Sequence, residues 1–228
     1  MKKSIALAAC VAVSSLFIIG CSKDDTEAPI ITLLGSNPLQ LEMLDTYTEP
    51  GATADDNEDG DISSSISVDP SEIENRLPGT YNVYYSVSDA AGNPADAIRE
   101  VVVYATNNAL AKVYTVNDTC GTGAAAVGFP PYQETVTATS ASGGTTIAFA
   151  KFANYTNNTG ITATVAGNGV ITLPTQMTTG IGMPNPENHD FDGTGNVTLN
   201  GFILNYNDKN NSATPVATAA CRAIYTRN

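Results

Sequence analysis

Three groups of residues have the types and spacing to do chemistry. The first is the acidic run DDNEDGD at residues 55–61, since carboxylate and amide oxygens are what calcium binds, about six to eight at a time. Read as a helix-flanked calcium loop, the run begins correctly, with oxygens at Asp55, Asn57 and Asp59 and Gly60 at the sixth position. The twelfth position, where a bidentate glutamate belongs, is Ile66, so the simple loop is excluded. The second group is His189 with Asp190 and Asp192, which could hold a metal or act as acid and base. Its setting, MPNPENHDFDGTG, is rich in proline, glycine and asparagine and reads as an exposed loop. The third group is the cysteines at positions 10, 21, 120 and 221.

Several activities lack their parts. A serine or cysteine nucleophile needs a base beside it; His189 is the only histidine, and no G-x-S-x-G elbow occurs. The GTG triplets at 121–123 and 193–195 are not followed by helical sequence, so neither cradles phosphate. No catalytic residue is assigned, the chain reads as no enzyme, and a hydrolase relying on Asp190 is the distant alternative. Sugar binding by aromatic stacking must do without tryptophan; of the 10 tyrosines, Tyr132 beside Pro130-Pro131 and Tyr155 in NYTNN are the expected exposed platforms.

The N-terminus supplies an address. MKKSIALAACVAVSSLFIIG has two lysines and an apolar run too short to span a bilayer, which marks residues 1–20 as a secretory signal. IIGC resembles the bacterial lipobox, which implies cleavage before Cys21 and acyl chains on that cysteine. The following S-K-D-D resembles the lysine-plus-acidic signal of Bacteroidetes lipoproteins sent to the outer face of the outer membrane, and residues 21–27 read as a tether. Cys10 leaves with the signal, so Cys120 and Cys221 are expected to form a disulfide in an oxidising compartment. Formal net charge is −13, and 17 of the 23 acidic residues precede residue 109. That balance speaks against nucleic acid and for cations or basic partners.

The elements that must position these groups are strands. In TYNVYYSVSD, Tyr81, Val83, Tyr85 and Val87 share one face, while Asn82, Tyr84, Ser86 and Ser88 share the other, the period of two of a half-buried strand. About seven short runs between Pro29 and Ala105 predict an Ig-like sandwich at residues 28–105. Tyr47, Pro50-Gly51-Ala52, Asp55, Asp59-Gly60-Asp61, Pro78-Gly79-Thr80-Tyr81, Asp89 and Gly92-Asn93 together resemble the bacterial surface Ig-like domain family, which also occurs as repeats in a pesticidal crystal protein. That family implies a structural or adhesive module and no catalytic residues. In the Ig order the turn at 55–61 and the turn at 89–93 share one pole. Asp55, Asp59 and Asp61 are thereby expected near Asp89 and Asn93, as a composite calcium site or as a solvated turn in which Gly60 takes a positive φ.

TNNALAK reads as a linker, placed at 106–110, and residues 111–228 alternate apolar residues with threonine in seven or so runs. A second antiparallel domain is expected there, a sandwich or a partly closed barrel, with the disulfide tying its first strand to its last. Its closing strand CRAIYTR is similar in pattern to the C-terminal β-domains of Bacteroidetes lipoproteins. The expected protein is a lipid-anchored surface binder, with an Ig-like spacer and a second domain that meets an unknown partner. The alternative is a glycan-binding accessory of a nutrient-uptake system. No cofactor is expected apart from calcium at the acidic turn.

Overall fold

The structure is a computed structural model, and it describes residues 24–121, 126–139, 144–155, 160–181 and 187–228. Cys21 and the signal segment lie outside these. The protein is all-β. Its first half builds two facing sheets. One contains β1 (Ile30–Leu33), β3 (Ala52–Asp56) and β4 (Gly60–Asp61); the other is ordered β2 (Leu39–Glu42), β7 (Pro94–Tyr104), β6 (Gly79–Ser88), β5 (Ser67–Asp69). β6 and β7 run antiparallel from Gly79 against Val103 to Ser88 against Pro94, and β2 lies parallel to β7 on its other edge. The alternation in β6 is realised as read: Val83, Tyr85 and Val87 are buried, while Tyr84, Ser86 and Ser88 face solvent.

One charged residue sits in that core. Arg99, in β7, is fully buried. It donates from Nε to the Tyr85 hydroxyl at 2.9 Å, from Nη1 to the Ser36 carbonyl at 2.5 Å, and from Nη2 to the carbonyls of Leu34 at 2.6 Å and Gly51 at 3.1 Å. Glu49 lies 3.9 Å away and accepts from Tyr47, Tyr85 and the Gly51 amide. Burial pushes the Glu49 carboxyl up, but these donors and the guanidinium reverse that and hold it below its ordinary range. The guanidinium fork thereby ties the loops after β1 and before β3 to the opposite sheet.

The second half is β8 (Val113–Cys120), β9 (Val127–Gly128), β10 (Tyr132–Ala138), β11 (Thr146–Phe149), β12 (Ile161–Val165), β13 (Val170–Ile181), β14 (Glu187–Thr198), β15 (Gly201–Asn210) and β16 (Ala217–Arg227). Neighbours pair antiparallel in chain order from β10 to β16, and β8 pairs with β16 on one edge and with β9 and β10 on the other. Of the two expected forms the barrel is therefore the one adopted, and its eight strands, with β9 and β10 counted as one, close completely, which removes the free edges of the sheet. β9 and β10 act as one strand interrupted at Phe129-Pro130-Pro131, where prolines have no amide hydrogen for the ladder. Cys120 and Cys221 stand opposite each other on β8 and β16 and are disulfide-bonded.

An eight-stranded barrel is just wide enough to be filled by its own side chains or to hold one small ligand, and here aromatic rings pack much of the interior. Phe202 stacks on Tyr225 with centroids 4.2 Å apart, and Tyr114, Phe149 and Phe152 meet them or each other edge-on. Gly195 of the GTG in β14 lets β15 approach: a Cβ there would lie 2.0 Å from the Ile203 carbonyl oxygen. That triplet serves packing, which is why it needs no helix after it.

Residues 107–110 form a single helical turn, capped by Thr106, with Ala109 and Leu110 buried against the barrel. The end of the barrel carrying the β12–β13 and β14–β15 turns abuts the sandwich. Ala105 donates to Gly167 at 2.9 Å, and Arg76 donates to the Leu199 carbonyl at 2.8 Å and Asn200 Oδ1 at 2.6 Å. The other end, where β8 and β15 finish and β10, β14 and β16 begin, faces away.

Candidate functional site

Two places gather polar side chains. The first is the pole of the sandwich formed by the β3–β4 and β6–β7 turns. Asp56 Oδ1 accepts from the amides of Glu58 and Asp59, both at 3.0 Å, and Gly60 closes the turn with φ +70°. Asp59 Oδ2 then reaches the Ala90 amide at 2.6 Å and joins the two turns. Asp89 accepts from Asn93 twice, from its amide and its side chain, each at 2.7 Å. Burial pushes the Asp89 carboxyl up, yet Asn93 and the backbone amides of residues 91–93 more than offset it, so its pKa is lowered.

Of the five residues expected to assemble here, Asp59, Asp89 and Asn93 do come together. Asp55 and Asp61 do not: they oppose each other across β3 and β4, exposed, and Asp61 is occupied by Ser63. Period two explains the miss, because Asp55 and Asp56 point to opposite faces and it is Asp56 that turns inward. Asp25 also arrives at this pole, so that one carboxylate oxygen each from Asp25, Asp56 and Asp89 lie within 4.8 Å of one another.

The second place is the open end of the barrel. A cavity of about 170 Å³ is lined there by Asp118, Phe129, Asn154, Tyr155, Tyr206 and Asp208 among others. Asp118 accepts from the Tyr206 hydroxyl at 2.6 Å through Oδ2, while its buried Oδ1 has no hydrogen-bond partner among the described residues. Burial raises the Asp118 pKa, the Asp208 charge adds to this, and the tyrosine hydrogen bond opposes it. Asp208 accepts from the Tyr155 hydroxyl at 2.9 Å and is hydrogen-bonded to His189 Nδ1; His189 Nε2 lies 3.3 Å from Glu187. Deeper in, Glu134 is fully buried and accepts from the amides of Ala150 and Lys151 at 2.9 Å, while Oε2 has no hydrogen-bond partner among the described residues. Burial pushes its carboxyl up to about 7, against the pull of those amides and of Lys151.

The residues singled out in the sequence land here in altered roles. His189 is buried in strand β14, so the expected exposed loop is corrected: alternation sends His189 and Phe191 inward and leaves Asp190 and Asp192 outside, on Lys209 and Asn207. The three therefore do not form one acid–base set. Tyr132 is 7 % exposed inside the barrel, with Lys151 over its ring, and offers no surface platform. Tyr155 is half-buried and lines the cavity. Glu134, Asp118 and Asp208 were legible in principle, because each falls in the apolar phase of its strand, after Tyr132, Val116 and Tyr206 respectively.

An Ig-like sandwich is followed by a closed up-and-down barrel, polar side chains gather at one pole of the first and at the open end of the second, and the barrel carries a disulfide, a bond that persists in oxidising surroundings. Residues 31–103, within the sandwich, match the family described as bacterial surface protein, Ig-like domain. Curated proteins give no match. Among solved structures, a lipoprotein, BT2262, from Bacteroides thetaiotaomicron is similar at 17% identity, with 85% of this chain and 98% of that one covered and a TM-score of 0.33. The CBM51-2 and INT domains of ZmpB from Clostridium perfringens, in complex with GlcNAc, are similar at 15% identity over 87% of this chain and 44% of that one, with a TM-score of 0.29. A Bacteroides ovatus protein of unknown function is similar at 9% identity over 87% and 95%, with a TM-score of 0.23.

Proposed function

We propose that this is a lipid-anchored protein of the outer membrane, displayed at the cell surface, whose Ig-like module is a spacer and whose barrel presents the binding site at its open end. The observation that carries the reading is the Oδ1 of Asp118, which has no hydrogen-bond partner among the described residues and is buried beside Asp208 in a cavity that opens away from the sandwich. A buried acceptor left unpaired costs about 1–3 kcal/mol, which a ligand that donates a hydrogen bond recovers. Support for the anchor comes from the lipobox ending in Cys21 and the S-K-D-D that follows. With a net charge of −13 the surface repels nucleic acid.

The glycan reading is favoured by the composition of the cavity. Carboxylates that accept from hydroxyl groups stand next to the exposed face of Phe129 and the ring of Tyr155, the pairing of acceptors and apolar faces that a sugar ring needs. The cavity volume suits the end of a chain, one ring deep. The test is a glycan array with the mature protein, followed by calorimetry on any hit. Binding should fall at least about tenfold in Asp118→Asn, the loss of one charged hydrogen bond, and remain in Asp190→Asn on the outer face. Unchanged binding in both Asp118→Asn and Asp208→Asn would remove the barrel mouth as the site. Labelling with a radioactive fatty acid, abolished by Cys21→Ala, checks the anchor.

A further inference from the structure

The pole of the sandwich nearest the N-terminus carries a feature the binding reading does not use. Asp56 is 5% exposed and Asp89 is 8% exposed, and burying a carboxylate is costly unless it is paired. Asp56 Oδ1 is satisfied by two backbone amides, but its Oδ2 is buried with no hydrogen-bond partner among the described residues. Oxygens of Asp25, Asp56 and Asp89 nevertheless converge within 4.8 Å of one another. Among the described residues no lysine, arginine or histidine makes an ion pair with any of the three. Three carboxylates so close repel one another, and one of them holds an idle buried oxygen; a cation resolves both problems at once.

We propose that a divalent cation of the calcium type binds between Asp25, Asp56 and Asp89 and fastens the segment leading from the anchor onto the Ig-like sandwich. The donor set is oxygen only, which selects a hard cation over zinc or copper. The three donors come from three separate segments, the N-terminal stretch, the β3–β4 turn and the β6–β7 turn, and such a loose cage suits calcium's flexible coordination better than the strict octahedron of magnesium. Asn93 has already drawn the stretch in, since its side-chain amide points at the carbonyls of Asp25 and Glu27 at 3.3 and 3.2 Å. The ion would complete that attachment. Because Asp25 lies four positions after Cys21, the bound ion sets the stance of the sandwich on its anchor, independently of what the barrel binds.

Calorimetry on chelator-treated mature protein, titrated with calcium chloride and in parallel with magnesium chloride, reads the site directly. The expected result is one calcium per chain with Kd about 10⁻⁴–10⁻³ M, the range of extracellular modules, and much weaker binding of magnesium. Asp56→Asn and Asp25→Asn should each weaken calcium at least about tenfold. Asp25 sits on the tether outside the sheets, so its variant keeps the fold even if Asp56→Asn disturbs the turn. Calcium should also slow proteolysis within residues 24–28 in the unaltered protein. No heat up to about 10 mM calcium, far above that range, overturns the site. Binding that survives unchanged in Asp25→Asn overturns the fastening role.

Discussion

Glu134 gives the barrel a dependence on pH that its surface carboxylates would not. In the folded protein it is fully buried, Oε2 has no hydrogen-bond partner among the described residues, and burial pushes its carboxyl up to about 7 from the ordinary 4.5. Between those two values the folded chain holds a proton that the unfolded chain has released. Folding stability must therefore fall as pH rises through this window, and it is fully present below 4.5. At about 1.4 kcal/mol for each pH unit, the interval is worth about 3 kcal/mol. Glu134→Gln keeps an acceptor for the amides of Ala150 and Lys151 and has no proton to lose. Urea melts at pH 5 and pH 8 on both proteins read the effect: the unaltered chain should lose about 3 kcal/mol more than the variant over that step. Asp118, raised by burial in the same way, acts in the same direction and remains in both proteins, so the comparison isolates Glu134. Equal losses in the two proteins would refute the assignment of the proton to this residue.

Two further outcomes follow from the frame. Cys120→Ser with Cys221→Ser, or reduction, opens a link across 101 residues and should lower stability by about 2–4 kcal/mol in denaturant melts. The barrel should still form, since the hydrogen bonds between β8 and β16 persist. Arg99→Leu strips donors from Tyr85 and three carbonyls and the counter-charge from Glu49 inside the sandwich and should cost about 3–5 kcal/mol. Thermal unfolding with a probe in the Ig-like half checks it, and a loss under about 1 kcal/mol would mean the loops are held by other contacts.

Strand pattern carried most of the architecture. The alternation in Gly79–Ser88 named the buried face correctly, and the acidic run proved to be the turn between β3 and β4. What failed was the phase of side chains near turns. Proline and asparagine before His189 were read as loop, yet β14 begins at Glu187 and turns the imidazole inward. The run DDNEDGD offered no way to tell Asp55 from Asp56, since the two adjacent residues are both acidic and the register depends on pairing with β1. Closure of the barrel was legible in part: Cys120 and Cys221 tie the first strand of the domain to its last, but no local pattern in β8 or β16 says that the two pair along their length and complete the barrel.

That same pairing imposes an order on assembly. The Ig-like sheets are complete once Tyr104 has been made, because every partner strand lies within the preceding residues. The barrel has no such early stage: β8, whose first residues are among those it makes soonest, waits for Arg227 to pair with Tyr114 and Cys221 to pair with Cys120. Loop closure over so long a separation is slow, and until it happens β8 and β15 are bare edges open to neighbouring chains. The sandwich can thus be folded while the barrel is still unclosed, and the eleven residues of β16, Ala217–Arg227, are the step on which closure depends.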